Sequence, residues 1–313
     1  MNIQQDRQPR SKSLLRWLKT YTGQKYFTTC LFLLAPVLLL VLFTAIPALN
    51  MVSYSFQERD QFGLNARWVG LDNYKAVFTQ SDILMPLMTS VYYMAGAVVQ
   101  IVVALLIANI LCTKIRWANF FKGVIFFPYM MNGIEVAIIF RRFFYASDGV
   151  INKYEGILNS IIQLFGGEPR IWLSASPVLA NICMVFVSNW RYIGFNIIMF
   201  IGAIQSINPE IFEAANLDGA GEGQQFRYII FPSIRPIVTL QMVLAIRGAI
   251  SVYEIPYVIA QGRNGTESFV MKSVDTAFKM QRFGLASAMG IVLLLIIIFA
   301  TVLQRLVLKE GDD

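Results

Sequence analysis

The chain has 313 residues, of which 56% are hydrophobic and only 14% are charged, and its formal net charge is +7. Soluble domains of this length normally carry fewer apolar and more charged residues, so the composition indicates a membrane protein. The sequence contains no histidine. Histidine-based metal ligation, Ser-His or Cys-His nucleophilic catalysis and histidine proton relays are therefore excluded within this chain.

The first 26 residues form a basic segment, with six lysines and arginines against one aspartate. No apolar core there precedes a small-residue cleavage site, so we expect the segment to stay in the mature chain and to face the cytoplasm. Leu14, Trp17 and Leu18 interleave with basic residues. This pattern is typical either of a short helix in the anionic headgroup region or of a disordered basic tail.

Six apolar runs follow, and each is long enough, at about 20 residues, to cross roughly 30 Å of hydrocarbon as a helix. They lie near residues 28–50, 87–111, 118–141, 177–201, 238–259 and 284–307. The sequence therefore predicts an all-α membrane protein with one transmembrane domain at 27–308 and a short tail at 309–313.

An even number of spans puts both termini on one side of the membrane. The short second connection carries Lys114, Arg116 and Lys122 without an acid, and Arg305 and Lys309 follow the last span. Because short cytoplasmic segments are enriched in lysine and arginine, we predict that both termini are cytoplasmic.

Cys30, Cys112 and Cys183 lie within or at the edges of apolar runs. Their spacing matches no metal-ligand pattern, so they are expected to pack as small hydrophobic residues, and no metal site is predicted. The sequence also lacks the G-x-x-x-x-G-K-[ST] phosphate loop.

A polar segment at about 203–236 separates the fourth and fifth spans. Asn208, Pro209 and Glu210 provide a capping side chain, a fixed φ and an acid at the positive end of a helix dipole. They predict a helix from about Pro209 to Leu217, and Gly219 then permits a turn with positive φ.

A second helix is predicted from about Glu222 to Ile230, stopping before Pro232. In the first helix, Ala214 and Ala215 leave one side without bulk, so another protein surface could approach the backbone closely. The segment is therefore predicted to form a helix-turn-helix projection rather than a pocket.

This segment resembles the EAA loop of binding-protein-dependent ABC importers. Glu213-Ala214-Ala215 is followed by three residues, Gly219, nine residues, Ile229 and Pro232, and Phe231 in place of the usual leucine is the departure. The segments 47–56, 68–74 and 283–288 look like the carbohydrate-uptake branch, so the similarity covers about residues 28–308. The loop 260–267 lacks the Gly-Gly-Pro often seen there.

The resemblance implies the pore-forming permease subunit of a type I ABC importer in the plasma (inner) membrane of a bacterium or archaeon. Its coupling loop would sit in a cleft of a separate ATPase subunit through Glu213, Ala214, Ala215, Asp218, Gly219, Ile229 and Pro232. The subunit would perform no catalysis and bind no cofactor itself, with ATP and Mg²⁺ on the partner ATPase.

The implied partners are a second permease subunit, two ATP-binding subunits, an extracytoplasmic solute-binding protein and the lipid bilayer, with no nucleic acid. The implied cargo is a sugar or oligosaccharide, and a glycerol phosphate or other polyol-type solute is the alternative.

Polar residues inside apolar spans indicate where a solute could pass, because polar groups in hydrocarbon usually face a bundle interior or a water-filled path. At 100° per residue, one face of the fourth span collects several amide and hydroxyl groups. The fifth span places an arginine, a serine and a glutamate on one stripe, with Pro256 able to bend the helix just beyond. The candidate pathway residues are Asn181, Ser188, Asn189, Tyr192, Asn196, Arg247, Ser251, Glu254, Tyr129, Asn132 and Glu135.

Each of these residues has a structural alternative. Asparagine and serine often bond neighbouring helices, and Arg247 with Glu254, or Arg191 with Glu135, would make static ion pairs. The partner permease could also carry most of the substrate site. An ion-coupled secondary transporter and an intramembrane enzyme are the rival classes, although no inverted repeat and no paired aspartates are visible in the spans.

Overall fold

The protein was analysed as a computed structural model that describes residues 20–59, 65–112, 117–145 and 156–309. The predicted basic segment up to residue 19, Lys114, Arg116 and the end of the tail lie outside the described residues. The chain divides into two compact units, the first ending at Tyr54 and the second beginning at Ser55.

The first unit is a long apolar helix. Helix α1 (Tyr21–Leu40) passes through a π-helical turn at Val41–Ala45 into α2 (Ile46–Ser55). Thr20 caps its start by accepting a hydrogen bond from the backbone N–H of Gly23. The helix therefore begins earlier and ends later than the apolar run at 28–50.

The second unit opens with a small antiparallel hairpin, β1 (Gln57–Arg59) and β2 (Ala66–Trp68), in which Gln57 lies opposite Trp68. The sequence did not predict these strands. Asn73 fixes the hairpin by donating from Nδ2 to the carbonyl oxygens of Ser55 and Gln57. Hydrogen bonds from a single side chain thus stabilise strands too short to show a period-two pattern.

The rest of the second unit is helical. Its helices are α3 (Asp72–Thr79), α4 (Ser81–Leu84), α5 (Leu87–Cys112), α6 (Ala118–Met130), α7 (Gly133–Phe143), α8 (Ile157–Leu164), α9 (Pro177–Gln205), α10 (Pro209–Leu217), α11 (Glu222–Gln225), α12 (Phe231–Ile250), α13 (Glu254–Ile259), α14 (Phe269–Phe278) and α15 (Phe283–Lys309).

Among the described residues, five helices are long and apolar enough to cross a membrane, and a bent helix pair makes a sixth span if it is counted as one. This agrees with the predicted all-α membrane fold. The fourth and sixth predicted spans correspond to α9 and α15, and Ser176 with Pro177 begins α9 as a capping pair.

The third predicted span is not a single helix, and this prediction was wrong. Helices α6 and α7 meet at 95° across Met131 and Asn132, whose backbones are extended. The Asn132 side chain accepts a hydrogen bond from the backbone N–H of Ile134 and so starts a new helix. The apolar composition hides this break because the capping asparagine is one polar residue in an apolar run.

The fifth predicted span lies in one membrane-spanning segment, Glu222–Ile259, and its helical structure is interrupted at residues 251–253 between α12 and α13. Pro256 lacks a backbone N–H, and its ring would collide with the carbonyl of residue 252 in a continuous helix. The break therefore lies before Pro256, whereas the sequence analysis placed a bend beyond Glu254.

Three buried apolar clusters hold the second unit together. One cluster packs α7, α9 and α13 around Met184 and Val136, and a second packs α5, α9 and the start of α12 around Ala104 and Phe200. The third joins α3, α14 and α15 around Met289. Helices α6 and α9 approach closely at Gly194, where a Cβ atom would collide with the backbone of Ile125.

Candidate functional site

A cavity of about 450 Å³ lies between α5, α6, α9, α12 and α13. This volume falls within the range typical of small-molecule sites, about 300–1,000 Å³. Most of its wall is apolar, and polar side chains from every one of these elements reach it. The polar lining residues are Tyr93, Gln100, Tyr129, Ser188, Asn189, Arg191, Tyr192, Asn196, Gln241, Ser251, Tyr253 and Glu254.

The predicted face of the fourth span lines this cavity with Ser188, Asn189, Tyr192 and Asn196. Asn181 does not line this cavity, and its assignment to the pathway stays a prediction. Asn181 is buried, and its Nδ2 atom donates to the carbonyl oxygen of Gly265 at 2.8 Å. Its contact fixes the loop at residues 260–268, which is the structural alternative for an asparagine in a span.

The third and fifth predicted spans contribute only part of their candidate residues. Tyr129, Ser251 and Glu254 line the cavity. Arg247, Asn132 and Glu135 do not: Arg247 and Glu135 have exposed side chains, and Asn132 caps α7. The two helix breaks explain the difference, because a stripe drawn on a continuous helix loses its alignment beyond a break.

Arg191 contacts both helix breaks. One guanidinium nitrogen, Nη2, donates to the carbonyl oxygen of Met131 at 3.4 Å, and Nη1 lies 3.5 Å from the carboxylate of Glu254. Nη1 also donates to the Tyr192 hydroxyl at 3.0 Å. The pairs Arg247 with Glu254 and Arg191 with Glu135, considered from the sequence, are replaced by Arg191 with Glu254.

Gly133 makes room for this ion pair. A Cβ atom at residue 133 would collide with the Glu254 carboxylate and crowd the Arg191 guanidinium. The absence of a side chain at the start of α7 therefore allows α13 to approach it.

One wall of the cavity is aromatic. The rings of Tyr129 and Phe195 stack with centroids 4.8 Å apart and an interplanar angle of 21°, and Tyr192 meets Tyr129 edge-on at 6.1 Å. Such a wall offers flat apolar surface beside polar groups, which suits a ligand with apolar faces and a polar perimeter.

The polar segment between α9 and α12 forms the predicted first helix with the predicted bounds, Pro209–Leu217. Asn208 caps it by accepting a hydrogen bond from the backbone N–H of Glu210 at 3.1 Å. Gly219 has a φ of +77°, as its place in the turn predicts. Gln225 then donates to the Asn216 side chain at 2.7 Å and to the Ala220 carbonyl oxygen at 2.9 Å, which ties the two halves together.

Two predictions about this segment were wrong. Ala215 is buried within the loop, so only Ala214 of the alanine pair presents backbone at the surface. The second helix does not stop before Pro232: α11 runs through a π-helical turn at Phe226–Ile230 directly into α12. Pro232 is the second residue of α12, which directly follows this turn, so the proline does not stop the helix here.

Most of the other residues predicted to contact the ATPase are exposed, namely Glu213, Asp218, Gly219 and Pro232. Ile229 is half-buried. Leu217, which the sequence analysis did not select, has the most exposed large apolar side chain at this loop, at 89%. Its place at the last position of the helix, next to the turn, is the signal that could have identified it.

Residues 100–310 match the family model described as the binding-protein-dependent transport system inner membrane component. The chain belongs to this family. It is 31% identical over 287 residues to the probable ABC transporter permease protein YurN of Bacillus subtilis, covering 90% of this chain and 96% of that protein. It is 30% identical over 284 residues to the multiple sugar-binding transport system permease protein MsmF of Streptococcus mutans, covering 90% of this chain and 95% of that one.

The fold also matches a permease of known structure. A chain in the crystal structure of a bacterial alginate ABC transporter, in complex with an alginate pentasaccharide-bound periplasmic protein, has a TM-score of 0.77 and 18% identity, covering 91% of this chain and 96% of that chain. The resemblance to ABC importer permeases is thereby confirmed. The permease is therefore an inner-membrane transport component of the ABC class and not an ion-coupled secondary transporter.

Sequence reasoning missed five polar cavity residues of this permease: Arg191, Tyr253 and three residues within the apolar helices α5 and α12. Tyr93 and Gln100 lie two turns apart on α5, and Gln241 lies midway along α12. All three are polar residues in strongly apolar spans, and that is the signal by which the fourth-span face was found. They were overlooked because each span carries too few of them to form a visible polar stripe.

Proposed function

We propose that the permease forms the pathway for a sugar or oligosaccharide, which an extracytoplasmic binding protein delivers and which moves into the cytoplasm by alternating access. The observation that carries the proposal is the cavity, whose amides, hydroxyls and aromatic wall match the hydroxyl groups and apolar ring faces of a carbohydrate. The name of the relative MsmF supports the same class of cargo.

Force would enter at the loop between α9 and α12. Its exposed surface combines the carboxylate of Glu213 with the apolar side chain of Leu217 and the bare backbone at Ala214. A surface of this kind suits a cleft in another protein, with an acid for a basic partner group and a leucine for an apolar pocket. The partner in this proposal is an ATPase subunit that holds ATP and Mg²⁺, so this chain needs neither.

The full assembly in this proposal contains a second permease, two ATPase subunits and the binding protein. Both termini are cytoplasmic in it, because the basic first segment and the loop that meets the ATPase must lie on the same side of the membrane. Solute would then enter the cavity from the opposite side.

Uptake of a panel of labelled solutes into cells with and without the gene tests the cargo. The panel contains neutral mono- and oligosaccharides, a polyol and glycerol phosphate. We expect ATP-dependent uptake of at least one neutral sugar to disappear with the gene and return with a plasmid copy. Loss of polyol or glycerol phosphate uptake alone would favour the alternative cargo and contradict the proposal.

A further inference from the structure

Among the described residues, four side chains that line the cavity have a buried polar atom without a hydrogen-bond partner: the charged Arg191, at Nε, and three uncharged residues. Tyr93 is 4% exposed, Gln100 7% and Gln241 1%. In the part of the chain that the structure describes, the Tyr93 hydroxyl, the Gln100 Nε2 atom and the Gln241 Nε2 atom meet no acceptor. A buried donor without an acceptor destabilises the folded protein, whereas a leucine or methionine of similar size would not.

The two glutamines line the cavity together with Asn196, which is 7% exposed and comes from a third span. On its own helix, each of the three is the lining residue nearest in sequence to the end that faces the loop between α9 and α12. Ile101 directly follows Gln100 in α5, and Ile197 directly follows Asn196 in α9. Both isoleucines belong to the buried apolar cluster of α5, α9 and α12. The amide cluster, Gln100, Asn196 and Gln241, therefore marks the end of the cavity that is nearer to the loop between α9 and α12.

The charged groups of the cavity lie elsewhere. Arg191 and Glu254 meet at the helix breaks and largely neutralise each other there. The amide cluster itself is neutral, and each amide offers one acceptor and two donor hydrogens. That combination matches hydroxyl groups, which donate and accept, better than a carboxylate or a phosphate, which only accept at neutral pH.

We infer that Gln100 and Gln241 determine the solute specificity of the permease by hydrogen bonding the hydroxyl groups of a neutral sugar, with the Tyr93 hydroxyl beside them. The inference rests on the proposed function and narrows it to uncharged carbohydrate. It also explains why unpartnered amides persist in two apolar helices: the solute supplies the missing partners when it occupies the cavity.

The test uses the complete transport assembly, with Gln100→Leu and Gln241→Leu as the two variants. Gln304→Leu is a matched control, because Gln304 is equally buried, at 8%, also has an unpartnered amide atom, Oε1, and does not line the cavity. For each variant, KM for sugar uptake and the unfolding temperature of the assembly are measured.

We expect each cavity variant to raise KM about tenfold, which is the loss of roughly one hydrogen bond to the solute, without lowering the unfolding temperature. The control should leave KM unchanged. Removing the relevant hydroxyl from the sugar should weaken uptake by the wild type but add nothing to the defect of the variant.

Three outcomes would overturn the inference. A lower unfolding temperature with unchanged KM would assign the glutamines to packing. If removing the sugar hydroxyl and replacing the glutamine had additive effects on uptake, the glutamine would not bind that hydroxyl. Preference of the wild type for an anionic solute would contradict the neutral class. If the wild type takes up no sugar at all, the proposed function fails as well, and the wild-type measurement alone identifies that case.

Discussion

Arg191 is the residue on which the geometry of the cavity depends most. It is largely buried, with 15% of its side chain exposed, and it contacts the break between α6 and α7 as well as Glu254 at the break between α12 and α13. A guanidinium suits this position because its fork of donors serves several acceptors at once. Lysine would supply the charge without that geometry.

We therefore predict that Arg191→Met destabilises the permease by about 1–3 kcal/mol, since it leaves the Met131 carbonyl oxygen without its donor. Glu254→Gln should cost less, about 1 kcal/mol or below, because its side chain is 52% exposed and water can replace the pair. Thermal unfolding of the purified assembly measures both. Equal effects of the two changes would contradict the assignment of Arg191 as the link between the breaks.

At the scale of elements, the helix of the loop between α9 and α12 is short and has little packing of its own. Its nine residues, Pro209–Leu217, begin at the Asn208 cap and end before Gly219 with its positive φ. Isolated helices of nine residues are only marginally stable in water. The stability of this helix therefore depends on its capping and turn residues.

Gly219→Ala should therefore loosen this helix end by about 1 kcal/mol, because a Cβ atom is disfavoured at positive φ. Gly223→Ala is the matched control: Gly223 lies within α11, where nothing is close to an added Cβ atom, and alanine favours a helix. Hydrogen exchange of the amides at residues 209–217 should accelerate only in the first variant. Faster exchange in both variants, or in neither, would contradict the role given to Gly219.

The sequence predicted the first helix and the turn of this loop, and it predicted the cavity only in part. Capping and turn residues act locally, so Asn208, Pro209 and Gly219 determine the first helix and its turn without reference to the rest of the chain. The cavity is assembled from helices far apart in sequence, and two of its spans are broken. Asn181 lies on the unbroken helix α9, but its side chain donates to the Gly265 carbonyl oxygen, and a helical projection cannot reveal such a contact. Arg247 lies just before the interruption of the fifth span, where a projection onto a continuous helix no longer applies.

The buried alanine of the loop also shows that residue type alone does not predict which neighbours a side chain contacts. Ala215 and Ala214 are equivalent by residue type, and only the packing of the loop distinguishes the buried one from the exposed one. The π-helical turn before Pro232 is likewise invisible to a pattern that treats proline as a helix stop.

At the scale of the whole molecule, shared helices connect the two surfaces to which we propose a function, the cavity and the loop between α9 and α12. Helices α9 and α12 carry Asn196 and Gln241 of the amide cluster and also flank the loop that is proposed to meet the ATPase. Between the two surfaces lies the buried apolar cluster around Ala104 and Phe200. Packed helices transmit displacement as rigid bodies, so movement of the loop would change the cavity directly.

The most direct test of this coupling is sugar uptake and ATP hydrolysis by the complete assembly in vesicles, with Glu213→Lys compared with the wild type. Glu168→Lys is the control, because it makes the same charge change at an exposed residue in the loop after α8, away from the residues proposed to meet the ATPase. We predict that Glu213→Lys lowers ATP-driven uptake at least about tenfold, since it reverses a charge in the proposed interface, while the control transports normally. A Glu213→Lys permease that inserts, assembles and takes up sugar at the wild-type rate would contradict the account.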